Sequence, residues 1–420
     1  MTNRNRRSFV TTVAAAGTLG LSGCLSQLRE WSGGDTSSPD STPNEDTDQS
    51  GTNGLPELPG ESIEDFESLD DWVTMIDAGT LEAGTDDPYG GSQSARLTAN
   101  EDTEYAAIYR AVDGMDLSGS NLSLAVKFTG LEQLRLTLEL FAPNSRNAHV
   151  FHRTLIGPSD RWVRVDFGTD RIETQPNLSD VREIRLTARR RGDPSGSIDC
   201  QVDDLRTVDQ PETGKVMLLF DGMLESHYTE AFDRMESYGY AGVEALMPEA
   251  VGRGDRLTID RLQELSDAGW DMAARPRTGS SFLHEYSPEE QERMIRDTKR
   301  YLESRGFEDG AKHFVTPRNV LTPTARDLVE EYHEQTFRFG GGPNGLPLTD
   351  PHNLGFFSGA ADDETETYID YAAEYGQLAV LQFDYIGTED GISEREFERV
   401  LEYIDGQNVE VVSATDLLES

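Results

Sequence analysis

The apolar residues of this chain keep two different rhythms, and a sequence that does so has to build two cores. Between Ile63 and Val208 they fall in short alternating runs such as SARLTA, YAAIYRAV, LSLAVKF, LRLTLELFA and WVRVDFG, divided by Gly, Pro, Asn and Asp. Period-two alternation sends every second side chain to one face of a strand, and β-branched and aromatic residues suit that half-buried surface. The segment 62–208 is therefore predicted to be an all-β sandwich. From Gly214 the rhythm changes: strand-like KVMLLFDG, AGVEALMP and WDMAARP alternate with helix-like YTEAFDRMESYG, TIDRLQELSDAG and SPEEQERMIRDTKRYLESRG. The last of these opens on a serine cap, Ser287, with Pro288 in the first turn and Glu289 and Glu290 near the positive end of the helix dipole. Gly269 and Gly306 stand where helices should stop. Strands alternating with helices at this spacing mean parallel βα units, and about seven of them over 213–420 predict an incomplete (β/α) barrel rather than an open sheet.

The charge of the chain limits its partners. It has 420 residues, enough for two folded units with tails, and carries 78 acidic against 37 basic residues, a formal charge of −41. Only four of the basic residues are lysines: Lys127, Lys215, Lys299 and Lys312. Such self-repulsion weakens a compact fold in dilute buffer, and salt screens it. Because the acidity runs through the folded segments, the balance resembles that of proteins from salt-accumulating halophiles. Nucleic acid is excluded as a partner, since no basic patch offers the neutralisation that phosphates require.

Residues 1–24 read as an address. Arg6 and Arg7 precede Ser8 and Phe9, the apolar VTTVAAAGTLGL follows, and then Leu21-Ser22-Gly23-Cys24. Twin arginines before a short apolar stretch resemble a Tat export signal, and the last four residues resemble a lipobox. The resemblance implies transport in the folded state and a lipid on Cys24, holding the protein to the outer face of the cell membrane. The segment 25–61 is polar and rich in Pro, Gly and Ser, as expected of a disordered tether. Apart from Cys24 only Cys200 remains, which rules out an intramolecular disulfide in the mature chain and a cysteine-based zinc cluster.

The opening IEDFESLDDWV and closing VDDLRTV of the alternating segment resemble the ends of carbohydrate-binding jelly-roll modules. That resemblance implies a structural calcium ion held by acids near the two ends, here Glu64, Glu67 and Asp203. The same residues are also what a solvated acidic surface would show. Trp72, Trp162 and Tyr109 suit stacking on sugar rings or, lying within alternating strands, the core. Asn121-Leu122-Ser123 and Asn177-Leu178-Ser179 have the form of glycosylation sites.

Segment 214–420 resembles the polysaccharide deacetylase (NodB-homology) family of carbohydrate esterases. The landmarks are KVMLLFDG, SHYTEAFDRMESYGYAGVEALMP, LTIDRLQELSDAGWDM, HFVTPRN and LAVLQFDYIG, in that order. The resemblance implies a distorted (β/α) barrel with a divalent metal at the strand ends. In the family's first motif, T-F-D-D-G, the first aspartate is the general base and the second a metal ligand. Here Asp221 takes the base position and Gly222 the ligand position. The second motif's two histidine ligands correspond to Arg275 and Gly279. The third motif's loop corresponds to Thr316-Pro317-Arg318-Asn319, with only the proline kept, and the late catalytic histidine corresponds to Asp384.

An ion that polarises a carbonyl and acidifies water needs converging anionic and imidazole ligands, and a guanidinium among them repels it. No metal is therefore expected in the barrel. His227 and His284, near in sequence, are not spaced to face Asp221. If the barrel is kept, Asp221, Arg275 and Asp384 point to its central pocket, where a guanidinium fork can pair with both carboxylates; otherwise they are separate solvated rim residues. Pro317, Arg318 and Asn319 would line the same pocket.

The reading that results is an exported, lipid-anchored protein that binds cell-surface or extracellular glycan without metal-dependent deacetylation. The alternative is an active carbohydrate hydrolase, either a deacetylase with a non-standard site or a metal-free enzyme using Asp221 and Asp384 as paired carboxylates. A third reading is an envelope protein whose partner is another protein.

Overall fold

The computed structural model describes residues 58–130, 133–192, 196–388 and 391–420. The expected export signal, Cys24 and nearly all of the expected tether lie outside them. Among the described residues two six-stranded antiparallel sheets form the sandwich. One runs Thr80–Gly84, Ser94–Ala99, Ile198–Asp209, Ser120–Thr129, Val163–Phe167, with Glu61–Glu64 added along Ile198–Asp209. The other runs Thr169–Glu173, Ala148–Leu155, Gln133–Phe141, Val181–Arg191, Tyr105–Met115, Trp72–Thr74. Alternation does what it predicted: Leu97, Ile108, Leu124, Val126, Leu136, Leu138, Leu186 and Val202 all face one apolar core between the sheets.

Seven parallel strands then close a barrel: Gly214–Asp221, Val243–Leu246, Asp271–Ala274, His313–Val315, Gln335–Phe339, Leu354–Ser358 and Leu378–Phe383. The first pairs with both the second and the seventh, which closes the ring. Val409–Val411 adds to the start of the first strand from outside. The fold class expected from the sequence, a sandwich followed by a parallel barrel of about seven units, is the fold observed.

Side-chain parity along the first strand organises everything above it. Val216, Leu218 and Phe220 pack outward against the helices, while Met217 and Leu219 pack inward with Val243, Ala245, Ala273 and Val380. Asp221 continues the inward row at the C-terminal end of the strand. The opposite end of the barrel is plugged by Val412, Ala414 and Leu417, which belong to the inner core, and Asp271 accepts hydrogen bonds from the amide and hydroxyl of Thr415, both at 2.8 Å. The only way into the barrel among the described residues is therefore the end where Asp221 emerges.

Sandwich and barrel fall in one compact unit, joined by buried polar groups. Arg164 on a sandwich strand donates to Asp204 at 2.8 Å, and its amide donates to Asp350 of the barrel at 3.0 Å. Asp166 accepts from the hydroxyl of Thr349 at 2.6 Å, and Gln377 bridges Asn121 and the Thr169 amide at 3.1 and 2.9 Å. Arg153, wholly buried, donates to Asn344 at 2.8 Å. A hydrogen-bonded interface of this kind fixes one docking geometry, because each group left without its partner keeps its desolvation cost.

Candidate functional site

The strand ends deliver their charges to one pocket of about 600 Å³ at the barrel mouth. Strands one and seven bring acids, Asp221 and Asp384. The loops after strands two, three and four bring five arginines: Arg253 and Arg256, Arg275 and Arg277, and Arg318.

Arg275 Nε lies 2.7 Å from Asp221 Oδ1, and one of its terminal nitrogens donates to the sulfur of Met247 at 3.0 Å. The Nε–H is not aligned on the carboxylate oxygen, so neither atom has a well-formed hydrogen bond. The contact is a close ion pair rather than a bidentate fork. Burial pushes the Asp221 carboxyl above the usual carboxylate range. Arg275 pulls it back and Asp384 pushes it up again, and burial wins. Asp384 makes no ion pair within 4.0 Å among the described residues. It is exposed, and its carboxylate accepts from Gln382 Nε2 at 2.8 Å. Of the fork expected across the pocket, the structure brings together only the Asp221–Arg275 half.

Gly222 follows at φ +111°, a conformation that side-chain-bearing residues rarely adopt. A β-carbon there would also sit 3.3 Å from an Arg256 nitrogen and 3.4 Å from Leu224. The residue set does not fit a divalent ion: beside Asp221 stand Gly222 and Gly279, which have no side-chain donor, and Arg275, whose guanidinium lies 2.7 Å from the carboxylate and repels a cation.

Past Pro317, which is buried, Arg318 and Asn319 are both left-handed, at φ +55° and +63°. Asn319 Oδ1 holds the Phe339 amide at 3.2 Å, tying the turn to the next strand. Arg318 lies over the Phe282 ring, 4.6 Å from its centre. Phe282 in turn stacks on His284 at 5.4 Å.

His227 is held by partners other than Asp221. A turn of wide i→i+5 spacing, His227–Phe232, precedes the helix Asp233–Tyr238 and seats His227 wholly buried under the pocket floor. Its Nε2 donates to the carbonyl of Asp384 at 2.8 Å, and its Nδ1 lies 2.7 Å from Glu244, which also accepts from the Met223 amide at 3.0 Å. Burial disfavours a charged His227, yet Glu244, the Asp384 carbonyl and Asp221 outweigh it and raise its pKa. Helical spacing hid this, because the turn is not an ordinary α-turn. His284 stays outside, exposed on Phe282.

Sequence reasoning also missed Arg253, Arg256, Arg277 and Met247. The signal was present: GRGDR and RPRTG are dense in arginine within a strongly acidic chain.

In the sandwich, Glu64, Glu67 and Asp203 do not gather. Arg110 pairs with Glu64, whose other oxygen accepts from the Phe66 amide at 2.9 Å. Glu67 accepts from the hydroxyl and amide of Ser92 at 2.6 and 2.8 Å. Asp203 accepts from the amides of Gly90 and Asp204 at 3.1 and 2.8 Å. Among the described residues no group of three or more His, Cys, Asp or Glu is placed to hold a metal; each of the three carboxylates has its own protein donors. Trp72 is core, stacked on Phe66 at 5.3 Å. Trp162 is half-buried, with its indole N–H on the Asp87 carbonyl at 3.0 Å and Lys127 over its ring at 5.1 Å. Tyr109, which follows the core residue Ile108 and points the other way along the strand, stands half-exposed on the solvent face of its sheet.

The fold and mouth thus define a two-module protein: a parallel seven-stranded barrel with a charged pocket at its strand ends, fused to an antiparallel sandwich. No family model and no curated protein matches the chain. Among solved structures, similar ones include the Xyl-CE4 domain of a multidomain xylanase from the hindgut metagenome of Trinervitermes trinervoides, at 16% identity and TM-score 0.36, covering 49% of this chain and 90% of that one. Another is the Streptococcus pyogenes deacetylase PplD, solved with acetate, at 16% identity and TM-score 0.30, covering 33% of this chain and 62% of that chain's length. A third is the family 11 carbohydrate-binding module of the Clostridium thermocellum cellulase Lic26A-Cel5E, at 14% identity and TM-score 0.27, covering 37% of this chain and 96% of the module.

Proposed function

We propose that this protein is an exported, lipid-anchored glycan-binding protein whose barrel has the polysaccharide deacetylase scaffold without its metal-dependent chemistry. One observation carries the reading: Arg275 stands 2.7 Å from Asp221, with Gly222 beside it in a conformation closed to side chains. The base position is therefore occupied by an internal salt bridge. The sequence landmarks in 214–420 and the open, charged mouth support glycan as the ligand, and the twin arginines and Cys24 support export and anchoring. The raised pKa of Asp221 keeps one other reading alive, a metal-free hydrolase in which Asp221 is the acid and Asp384 its partner.

The test is to present the full chain, in high salt, with a panel of polysaccharides and to follow binding, acetate release and new reducing ends, with and without added zinc, cobalt or manganese. The expected result is binding with neither product, and recovery in the membrane fraction that a Cys24→Ser variant loses. Metal-dependent acetate release would overturn the proposal. New reducing ends abolished by Asp221→Asn would replace it with the hydrolase.

A further inference from the structure

We propose that the barrel mouth recognises an acidic sugar, seating its anionic group among the arginines of one arc and its hydroxyls against the two aspartates of the other. This rests on the glycan-binding reading above. In the whole chain acids outnumber bases by 78 to 37, yet the pocket inverts that balance, with five arginines against two aspartates. The inversion is also ordered in space. The arginines come from the ends of three successive strands, the second to the fourth, and the aspartates from the first and the seventh, which pair with each other.

Three of the five arginines, Arg253, Arg277 and Arg318, have no carboxylate within 4.0 Å among the described residues and make no side-chain hydrogen bond there, although the chain offers acids in abundance. Gathering like charges without counter-charges is unfavourable, and a bound anion removes that cost. Arg318 is in addition held in the left-handed region and laid on Phe282, a backbone conformation that is kept where the surroundings impose it. A planar guanidinium presents two parallel N–H groups to a carboxylate or a sulfate, the geometry that point-like lysine lacks. Asp221 and Asp384 add acceptors of the kind that fix sugar hydroxyls, and a pocket of about 600 Å³ has the size of a small-ligand site. A polyanion approaching a protein of charge −41 is repelled everywhere else, so any affinity it shows has to come from a local site.

The test measures binding of the full chain to polygalacturonate, dextran sulfate and neutral dextran across a salt series. Either polyanion is expected to bind better than dextran, and which one does so identifies the acidic group as carboxylate or sulfate. The double variant Arg277→Ala/Arg318→Ala should lose about tenfold or more of that affinity while melting at the wild-type temperature. Arg300→Ala, an exposed arginine on the outer helix Pro288–Glu303, should bind as wild type. Equal binding of dextran and the polyanions, or a double variant that binds like wild type, overturns the acidic-sugar inference and leaves glycan binding standing. No binding to any polysaccharide removes both.

Discussion

His227 shows how a single residue can set the floor of a pocket it does not line. Its two ring nitrogens tie the Asp384 backbone to Glu244 on the second barrel strand, and both side chains are wholly buried. The carbonyl can only accept, so Nε2 carries a proton, and the second proton is shared between Nδ1 and Glu244. Replacing His227 by Gln leaves Glu244 buried without its partner, and the expected loss is about 3–5 kcal/mol of unfolding free energy. Adding Glu244→Gln to that variant should restore part of it, which a double-mutant cycle by chemical denaturation measures directly. If the single variant unfolds within about 1 kcal/mol of wild type, the pair is not holding the floor. Gly222 acts differently, through its backbone: any residue with a β-carbon there has to be strained or to move the strand end that carries Asp221.

At the scale of elements, strand parity explains both what the sequence revealed and what it concealed. The resemblance in sequence motifs placed Asp221 and Arg275 at strand ends facing the central pocket, and strand parity in the structure agrees: Met217 and Leu219 pack inward below Asp221, and Ala273 packs inward below Arg275. Arg318 was expected there through the third motif, but the convergence of Arg253, Arg256 and Arg277 on it could not be read that way, since they sit in loops whose meeting depends on the ring being closed. The partners of Glu64, Glu67 and Asp203 were concealed for a related reason. Acid types near module ends suggest an ion, but the partners that claim them, Arg110, Ser92 and Gly90, lie tens of residues away. Asp203 projects from the outer face of Ile198–Asp209 and is nonetheless buried, and burial pushes its pKa up to about 6 despite the amides that stabilise its charge. A folded pKa above the unfolded one means that the native state takes up the proton first. Its contribution to stability is thus complete below about pH 4 and is lost as the pH rises through about 6. Asp203→Asn should flatten the pH dependence of unfolding in that window, and an unchanged profile would show that the carboxyl titrates normally.

The molecule as a whole is held together by a seam of charge and amide groups rather than by an apolar face. Arg164, Asp166, Asp350 and Gln377 satisfy one another across it, so the sandwich cannot pivot on the barrel without stranding several of them. Asn121 lies inside that seam: it is 2% exposed, and its amide nitrogen donates to the Leu346 carbonyl at 2.9 Å. Asn177 carries the same acceptor motif on the surface, capping the turn Leu178–Asp180. Mass spectrometry of the protein made in a glycosylating host should accordingly find no sugar at residue 121, whatever is found at residue 177. The two asparagines together are a clock for folding: an oligosaccharide at the inner one can only have been attached before the halves met, and its presence would record a chain that then could not close.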